Sequence, residues 1–136
     1  MSDTIHQEIE FKTSPQRVYE ALLDPKQFSI FTSAPAQIER EAGGSFSCFG
    51  GMITGRNIEL IPNKRIVQAW RVKVWPEGVY SIVSFELHPK GSGTRLMMTH
   101  DGFPDGMRAH LSGEMPDGGW HRQYWEPLQR YFSRNQ

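Results

Sequence analysis

Between residues 36 and 100, short apolar–polar runs alternate with tight turns, and this pattern limits the possible folds more than any other feature of the chain. The turn signals are Gly43-Gly44, Gly50-Gly51, Pro62-Asn63, Pro76–Gly78 and Lys90–Gly93. The intervening runs predict strands at residues 37–41, 45–49, 53–61, 65–75, 79–89 and 94–100. Parallel strands need long crossovers, so connections this short predict an antiparallel sheet.

Alternation within these strands predicts which side chains face the interior. The more apolar set in the run at 79–89 consists of Val79, Ser81, Val83, Phe85 and Leu87. The same test places Ile66, Gln68, Trp70, Val72 and Val74 inside one neighbouring strand, and Leu96, Met98 and His100 inside another. The N-terminal run from Ile5 to Phe11 alternates in the same way and predicts one more strand.

Three segments show helical signals. Ser14-Pro15 predicts the start of a helix, because serine caps free amides and proline suits the first helical position. Asp24-Pro25 ends that helix and starts a second one. After Asp117, apolar residues four apart predict a long final helix to about residue 134, with a kink or break at Pro127. This stripe consists of Trp120, Tyr124, Leu128 and Phe132. The predicted fold class is α+β, with the C-terminal helix packed across a sheet of about six to seven strands.

Bulk properties exclude several classes of protein. Because 15 Lys and Arg balance 15 Asp and Glu, the chain gives no electrostatic reason to expect a nucleic acid partner. No apolar run approaches the roughly 20 residues that span a bilayer, and the N-terminus lacks the apolar segment of a signal peptide. The single cysteine, Cys48, excludes an intrachain disulfide and favours a reducing compartment. We therefore expect one cytoplasmic domain over residues 1–136.

Residues with catalytic or metal-binding chemistry are sparse. The five histidines lack the spacing of metal ligands, and there is no HxxxH or CxxC motif, so we expect no metal and no cofactor. His100 and Asp101 are neighbours, but adjacent strand residues point to opposite faces, so the carboxylate is poorly placed to orient the imidazole. A buried lone cysteine such as Cys48 usually behaves as a small hydrophobe. The sequence thus favours a binding module over an enzyme.

Three segments carry a family resemblance. They read APAQIEREAGGSFSCFGG at 34–51, PNKRIVQAWRVKVWPEG at 62–78 and GGWHRQYWEPL at 118–128. Together they resemble the homologues of the activator of heat-shock-protein-ninety ATPase, within the START and birch-pollen-allergen (SRPBCC) superfamily. The resemblance extends from Ile5 to Phe132 and implies the helix-grip fold, in which a curved antiparallel sheet holds a C-terminal helix. It also implies a possible link to a heat-shock chaperone and to the stress response.

Inward-facing aromatic and polar residues form the candidate ligand site. These residues are Gln68, Trp70, Ser81, Val83, Phe85, Met98, His100, Trp120 and Tyr124. Alternation alone fits a filled core equally well, whereas polar groups among apolar ones favour a cavity with a few orienting hydrogen bonds. We therefore predict a small, largely hydrophobic ligand between the sheet and the C-terminal helix. The loop at 101–119 would be its gate, and the protein would be a monomer or a weak homodimer.

Two alternative functions remain open. The first is a protein-interaction module that acts on a heat-shock chaperone, for which the candidate surface residues are Lys64, Arg65, Arg71 and Lys73. The second is a small enzyme of the cyclase or hydrolase type that uses His100 within the cavity. The catalytic alternative ranks last, because nothing in the sequence specifies a substrate.

Overall fold

The computed structural model of the chain describes residues 4–73, 75–103, 120 and 124–134. The described residues form one strand, two short helices, six strands and a C-terminal helix, in the order predicted from the sequence. The strands are β1 (Ile5–Phe11), β2 (Ala36–Ile38), β3 (Ser45–Cys48), β4 (Ile53–Ile61), β5 (Arg65–Val72), β6 (Ser81–Lys90) and β7 (Gly93–Asp101). The helices are α1 (Pro15–Leu23), α2 (Pro25–Thr32) and α3 (Glu126–Arg134), with a short 3-10 turn at Phe49–Gly51.

All seven strands form one curved antiparallel sheet in the order β1-β7-β6-β5-β4-β3-β2. Every neighbouring pair from β2 to β7 is consecutive in sequence, as the tight turns predict. The N-terminal strand closes the other side by pairing with β7, and Gln7 lies opposite Met98. The predicted α+β class, the strand number and the helix-grip arrangement are therefore confirmed.

Capping residues fix the two short helices. The Ser14 hydroxyl accepts a hydrogen bond from the Arg17 amide at 3.3 Å, and Pro15 occupies the first turn of α1. Asp24 serves both helices, because its amide donates to the Glu20 carbonyl at 2.8 Å while its carboxylate accepts from the Lys26 amide at 3.0 Å. The chain therefore reverses direction at a single residue, as the Asp-Pro pair predicts.

The connection between β5 and β6 differs from the prediction. The sequence indicated a strand to residue 75, but β5 ends at Val72. The Arg71 guanidinium donates to the carbonyls of Trp75 at 2.8 Å and Val79 at 3.4 Å, and also to the carbonyl of Pro76. These bonds hold the chain in a loop, so alternation ends earlier than the apolar residues suggest. Val74, predicted to face inward, lies outside the described residues.

Helix α3 and the residue before it, Trp125, pack against β1 and α2 through side-chain hydrogen bonds as well as apolar contacts. The Trp125 indole donates to the Gln7 side chain at 2.7 Å, and the Tyr131 hydroxyl donates to the Gln27 side chain at 3.1 Å. Pro127, predicted to kink or break a longer helix, lies in the first turn of α3, where a missing amide is tolerated. Tyr124 and Trp125, directly before this helix, adopt the wider π-helical geometry.

Part of the predicted architecture cannot be compared. Residues 121–123 of the predicted final helix, Asp117 before it, and residues 104–119 of the predicted gate lie outside the described residues. No helix in the described part of the chain is both long and apolar enough to cross a membrane.

Candidate functional site

The nine predicted site residues all lie in the interior, between the sheet and the segment that leads into α3. Each is at least nine-tenths buried, and the predicted inward faces of β5, β6 and β7 are confirmed at these positions. The strand register brings the sheet members together. Gln68 lies opposite Val83, which lies opposite His100, while Trp70 lies opposite Ser81 and Phe85 lies opposite Met98.

Aromatic rings make up most of this interior. We call the five rings of Trp70, Phe85, Trp120, Tyr124 and Trp125 the aromatic layer. The Trp70 and Trp120 rings are stacked at 4.7 Å between centroids, and the Trp120 and Tyr124 rings are 4.6 Å apart. Phe85 meets Trp120 edge to face at 5.6 Å. Four of these rings, those of Trp70, Phe85, Trp120 and Tyr124, belong to the predicted ligand site, and they lie together in the interior.

A chain of hydrogen bonds crosses the sheet beneath the aromatic layer. The Trp70 indole donates to Gln68 Oε1 at 2.9 Å, and Gln68 Nε2 donates to Asn57 Oδ1 at 3.0 Å. Asn57 Nδ2 then donates to the Glu39 carbonyl at 2.8 Å. We call these four residues the amide relay. Because Gln68 uses its oxygen and its nitrogen within the relay, it is already satisfied without a ligand.

Asn57 is a site residue that sequence reasoning missed. It is fully buried, and the β4–β5 register shifts immediately after it, between Asn57 and Glu59, so that Ile58 forms a bulge. Alternation through β4 gives no warning of this shift, since a bulge adds one residue without changing composition. The signal that could have revealed Asn57 was its polar side chain at an inward position, opposite the polar side chain of Gln68.

A second polar group joins β6, β7 and Trp120. His100 Nε2 lies 2.7 Å from the Ser81 hydroxyl, and the Trp120 indole donates to His100 Nδ1 at 3.2 Å. An indole N–H can only donate, so Nδ1 accepts and the imidazole proton resides on Nε2. The imidazole therefore donates to Ser81, and the serine hydroxyl lies 3.5 Å from the Trp70 carbonyl. This is the wrong tautomer for a general base acting on Ser81.

Burial keeps the two most reactive interior groups uncharged. Desolvation lowers the pKa of His100 to about 3, so the imidazole is neutral at physiological pH. Desolvation also raises the pKa of Cys48 to about 12, so its thiol is protonated and is a poor nucleophile. The described residues hold no group of three or more potential metal ligands. The geometry of these groups is that of a packed interior, with no activated nucleophile.

The described residues line a small void between the sheet and the helices. It has a volume of about 10 Å³ and is lined by Leu22, Phe28, Ile38, Phe46, Cys48, Gln68, Phe85 and Tyr124. This volume holds one water molecule at most. Three of the nine predicted residues line the void, and the others are in contact with neighbouring side chains. The void is too small for the predicted ligand, and ligand binding by these nine residues stays a prediction.

The four basic residues predicted to form a chaperone-binding surface do not behave alike. Arg65 pairs with Glu86 at 3.0 Å and Glu59 at 2.9 Å, so its charge is compensated. Arg71 holds the loop after β5, as described above. Lys64 and Lys73 are exposed. Two of the four residues therefore stabilise local structure, which alternation and charge alone do not reveal.

Comparison with known proteins gives a consistent result. The family model described as Activator of Hsp90 ATPase homolog 1-like protein matches residues 12–133. The human Activator of 90 kDa heat shock protein ATPase homolog 1 is 34% identical over 122 residues, which cover 90% of this chain and 35% of the relative. The chain thus spans about a third of the length of that curated relative.

Solved structures show the same fold. An HSP90 activator from Plasmodium falciparum superposes with a TM-score of 0.72 and 25% identity, covering 97% of this chain and 91% of that one. The Mll3558 protein from Rhizobium loti gives a TM-score of 0.74 and 26% identity, covering 96% of this chain and 97% of that one. The matched residues include β2 to β7, all three helices and the aromatic layer. The chain belongs to the family of Activator of Hsp90 ATPase homolog 1-like proteins.

Proposed function

We propose that this chain binds a 90 kDa heat-shock chaperone and changes its rate of ATP turnover. The observation that carries the proposal is the family match over residues 12–133, supported by 34% identity to an activator of such a chaperone. The chain aligns with 35% of that relative, and the proposal draws on this aligned part alone. It corresponds to the protein-interaction alternative drawn from the sequence.

The chemistry of the interior supports a role in binding at the surface. His100 is hydrogen-bonded to Ser81 and to Trp120, and Gln68 is hydrogen-bonded within the amide relay. Groups satisfied in this way stabilise one packed conformation and do not need a substrate. A protein partner, by contrast, needs only a complementary surface.

The test uses the purified chain and the 90 kDa chaperone of the same organism. Isothermal titration calorimetry would measure binding, and a coupled assay would measure ATP hydrolysis with and without an inhibitor of the chaperone. We expect saturable binding and a change in the inhibitor-sensitive rate. An unrelated folded protein of similar size at equal concentration is the control. The absence of both binding and a rate change would overturn the proposal.

A second candidate function is the binding of a small apolar molecule between the sheet and α3. The mixed lining of the interior void, with apolar walls beside Gln68, Cys48 and Tyr124, favours it, but a ligand would have to widen this 10 Å³ void in order to bind. Native mass spectrometry of the freshly purified chain would detect a retained molecule. We expect Cys48→Met, whose longer side chain takes more volume than the void offers, to abolish retention, while Ser29→Ala on α2 retains it. Thermal unfolding of both variants would establish that they are folded. A wild-type spectrum without bound mass would dismiss this function.

A further inference from the structure

The face of the sheet opposite α3 carries a compact group of apolar and basic side chains. Arg56 on β4 lies opposite Ala69 on β5, which lies opposite Ile82 on β6. One step along the strands, Thr54 lies opposite Arg71. Tyr80 comes directly before β6 and borders the same surface. We call this group the outer patch, and its members are Thr54, Arg56, Ala69, Arg71, Tyr80 and Ile82.

The centre of the outer patch is apolar and open to solvent. Tyr80 is 51% exposed and Ile82 is 42% exposed, although both are large apolar side chains. Beside them lies a shallow depression of about 490 Å³. Its lining consists of Ser45, Phe46, Thr54, Gly55, Arg56, Ala69 and Tyr80. Tyrosine and arginine at a partly apolar surface are typical of protein–protein interfaces.

Within the part of the chain that the structure describes, the two arginines of the outer patch bond to carbonyl oxygens. Arg56 Nη1 donates to the Gly43 carbonyl at 3.0 Å, and Arg71 donates to three carbonyls of its loop. Among the described residues, neither guanidinium lies within 4.0 Å of a carboxylate oxygen, whereas Arg40 lies 2.8 Å from Glu20. The carbonyls hold both side chains in place without neutralising them, so the charges are positioned before any partner arrives.

The carboxylates of Glu39 and Asp101 lie near the outer patch and do not pair with its arginines. Glu39 has a lowered pKa because Ser45 donates to it from both its amide and its hydroxyl, and Arg56 adds a smaller coulombic contribution. Its carboxylate is therefore already bonded to Ser45. Asp101 lies beyond Ile82 in the register, one strand further from the arginines.

We propose that the outer patch docks an acidic segment of a protein partner. Carboxylates of the segment would pair with Arg56 and Arg71, and one apolar side chain would cover Ala69, Ile82 and Tyr80. Charge complementarity favours an acidic partner, while the apolar centre favours polypeptide over a phosphate backbone or a lipid headgroup. This inference rests on the proposed function, since the segment would belong to the 90 kDa chaperone.

The outer patch can be tested with a defined probe and the full chain. The probe is a fluorescent peptide of glutamate, glycine and two leucines, with a lysine-for-glutamate peptide as its counterpart. We expect the acidic peptide to bind and the lysine peptide not to bind. Binding of the acidic peptide should shift the amide resonances of the outer patch, and its affinity should fall as NaCl rises from about 50 to about 500 mM. Binding of both peptides alike, or shifts elsewhere, would overturn the proposal.

Matched variants then separate the outer patch from the rest of the surface. Arg56→Glu and Ile82→Ser should each weaken binding of the acidic peptide by about tenfold or more. The controls are Lys26→Glu and Ile30→Ser at exposed positions on α2. They also reverse a positive charge and replace an apolar side chain, and they should bind the peptide like the wild type. Thermal unfolding of all four variants would establish that they are folded. Equal losses in patch and control variants would overturn the proposal.

The chaperone itself distinguishes this proposal from the proposed function. If the wild-type chain binds the chaperone and both patch variants bind equally well, the outer patch is not the docking surface and the co-chaperone function stands. If the wild-type chain does not bind the chaperone, the co-chaperone function fails. Displacement of the acidic peptide by duplex DNA or by phosphatidylserine vesicles at equal charge would show that the patch recognises anions in general, which overturns the assignment to a protein segment.

Discussion

At the scale of single residues, the interior polar groups explain why this core has one arrangement. Gln68 bridges an indole and an amide, and His100 bridges an indole and a hydroxyl. Both sets of hydrogen bonds form only when the strands have this register, and the bond to His100 also requires Trp120 in this position. A wholly apolar core of the same volume would tolerate more packings, because hydrophobic contact is not directional.

The amide relay leads to a prediction about stability. Gln68→Leu removes the partner of the Trp70 indole and the partner of Asn57 Oδ1, and each buried group left without a partner costs roughly 1–3 kcal/mol. We expect the free energy of unfolding, measured by urea denaturation, to fall by about 2–4 kcal/mol. Gln129→Leu is the matched control, because Gln129 is exposed and makes only a 3.5 Å contact to the Glu10 carbonyl. Equal effects of the two substitutions would contradict the relay.

His100 leads to a prediction about pH. Its folded pKa is about 3, below its ordinary value of 6.5, so between these values only the unfolded chain takes up the proton. The stability that arises from the neutral His100 is therefore fully present above about pH 6.5 and is lost as the pH falls towards about 3. The expected loss from about pH 7.5 to about pH 5.5 is about 1.4 kcal/mol.

Urea denaturation of His100→Gln checks this pH dependence. The substitution removes the titrating group, so its own cost should be accompanied by a flatter pH profile above about pH 5.5. Ser29→Ala alters no titratable group and should keep the wild-type profile. If His100→Gln and the wild type lose stability in parallel, the buried imidazole is not the cause.

At the scale of elements, short-range signals were the most informative part of the sequence. Ser14-Pro15 and Asp24-Pro25 locate both short helices, because capping and proline geometry act within a few residues. The strand at 53–61 was predicted with its observed bounds, whereas β5 ends three residues early. That difference depends on Arg71 reaching three carbonyls, which is a tertiary interaction that alternation does not encode.

Asp24 gives the prediction at this scale. Its carboxylate caps α2 and also accepts from Gln27 Nε2 at 3.1 Å, and Gln27 in turn accepts from Tyr131 on α3. Asp24→Ala should lower the free energy of unfolding by about 1 kcal/mol. Asp24→Asn keeps one acceptor oxygen and should recover most of the loss in the same denaturation experiment. A full loss in Asp24→Asn would show that charge matters more than capping.

At the scale of the whole molecule, the fold was predictable and the state of the interior was not. Periodicity assigned the inward faces of β5, β6 and β7, and the family resemblance supplied the helix-grip arrangement. Neither determines whether the rings of the aromatic layer leave a cavity, because that depends on side-chain packing to within the volume of a methyl group. The bulge after Asn57 was missed for a different reason, because alternation does not reveal an extra residue in a strand.

The sheet order predicts an uneven pattern of hydrogen exchange. Strands β5, β6 and β7 are each paired on both sides, whereas the three-residue strand β2 is at the edge. Amides of the central strands should exchange only through global unfolding, and those of β2 through local opening. Exchange measured by NMR in low urea would show this as a slow, urea-sensitive group and a fast, urea-insensitive one. Uniform exchange across the sheet would contradict the prediction.

The stacked indoles also give the molecule an optical signature. Trp70 belongs to the sheet, while Trp120 and Trp125 belong to the segment that leads into α3, and the Trp120 and Trp125 rings are within 18° of parallel. Transition dipoles of indoles this close couple, and we expect the coupling to give a couplet in the far-ultraviolet circular dichroism. A partner or ligand that lifted this segment from the sheet would erase the couplet. Such a displacement could therefore be detected with the unlabelled protein.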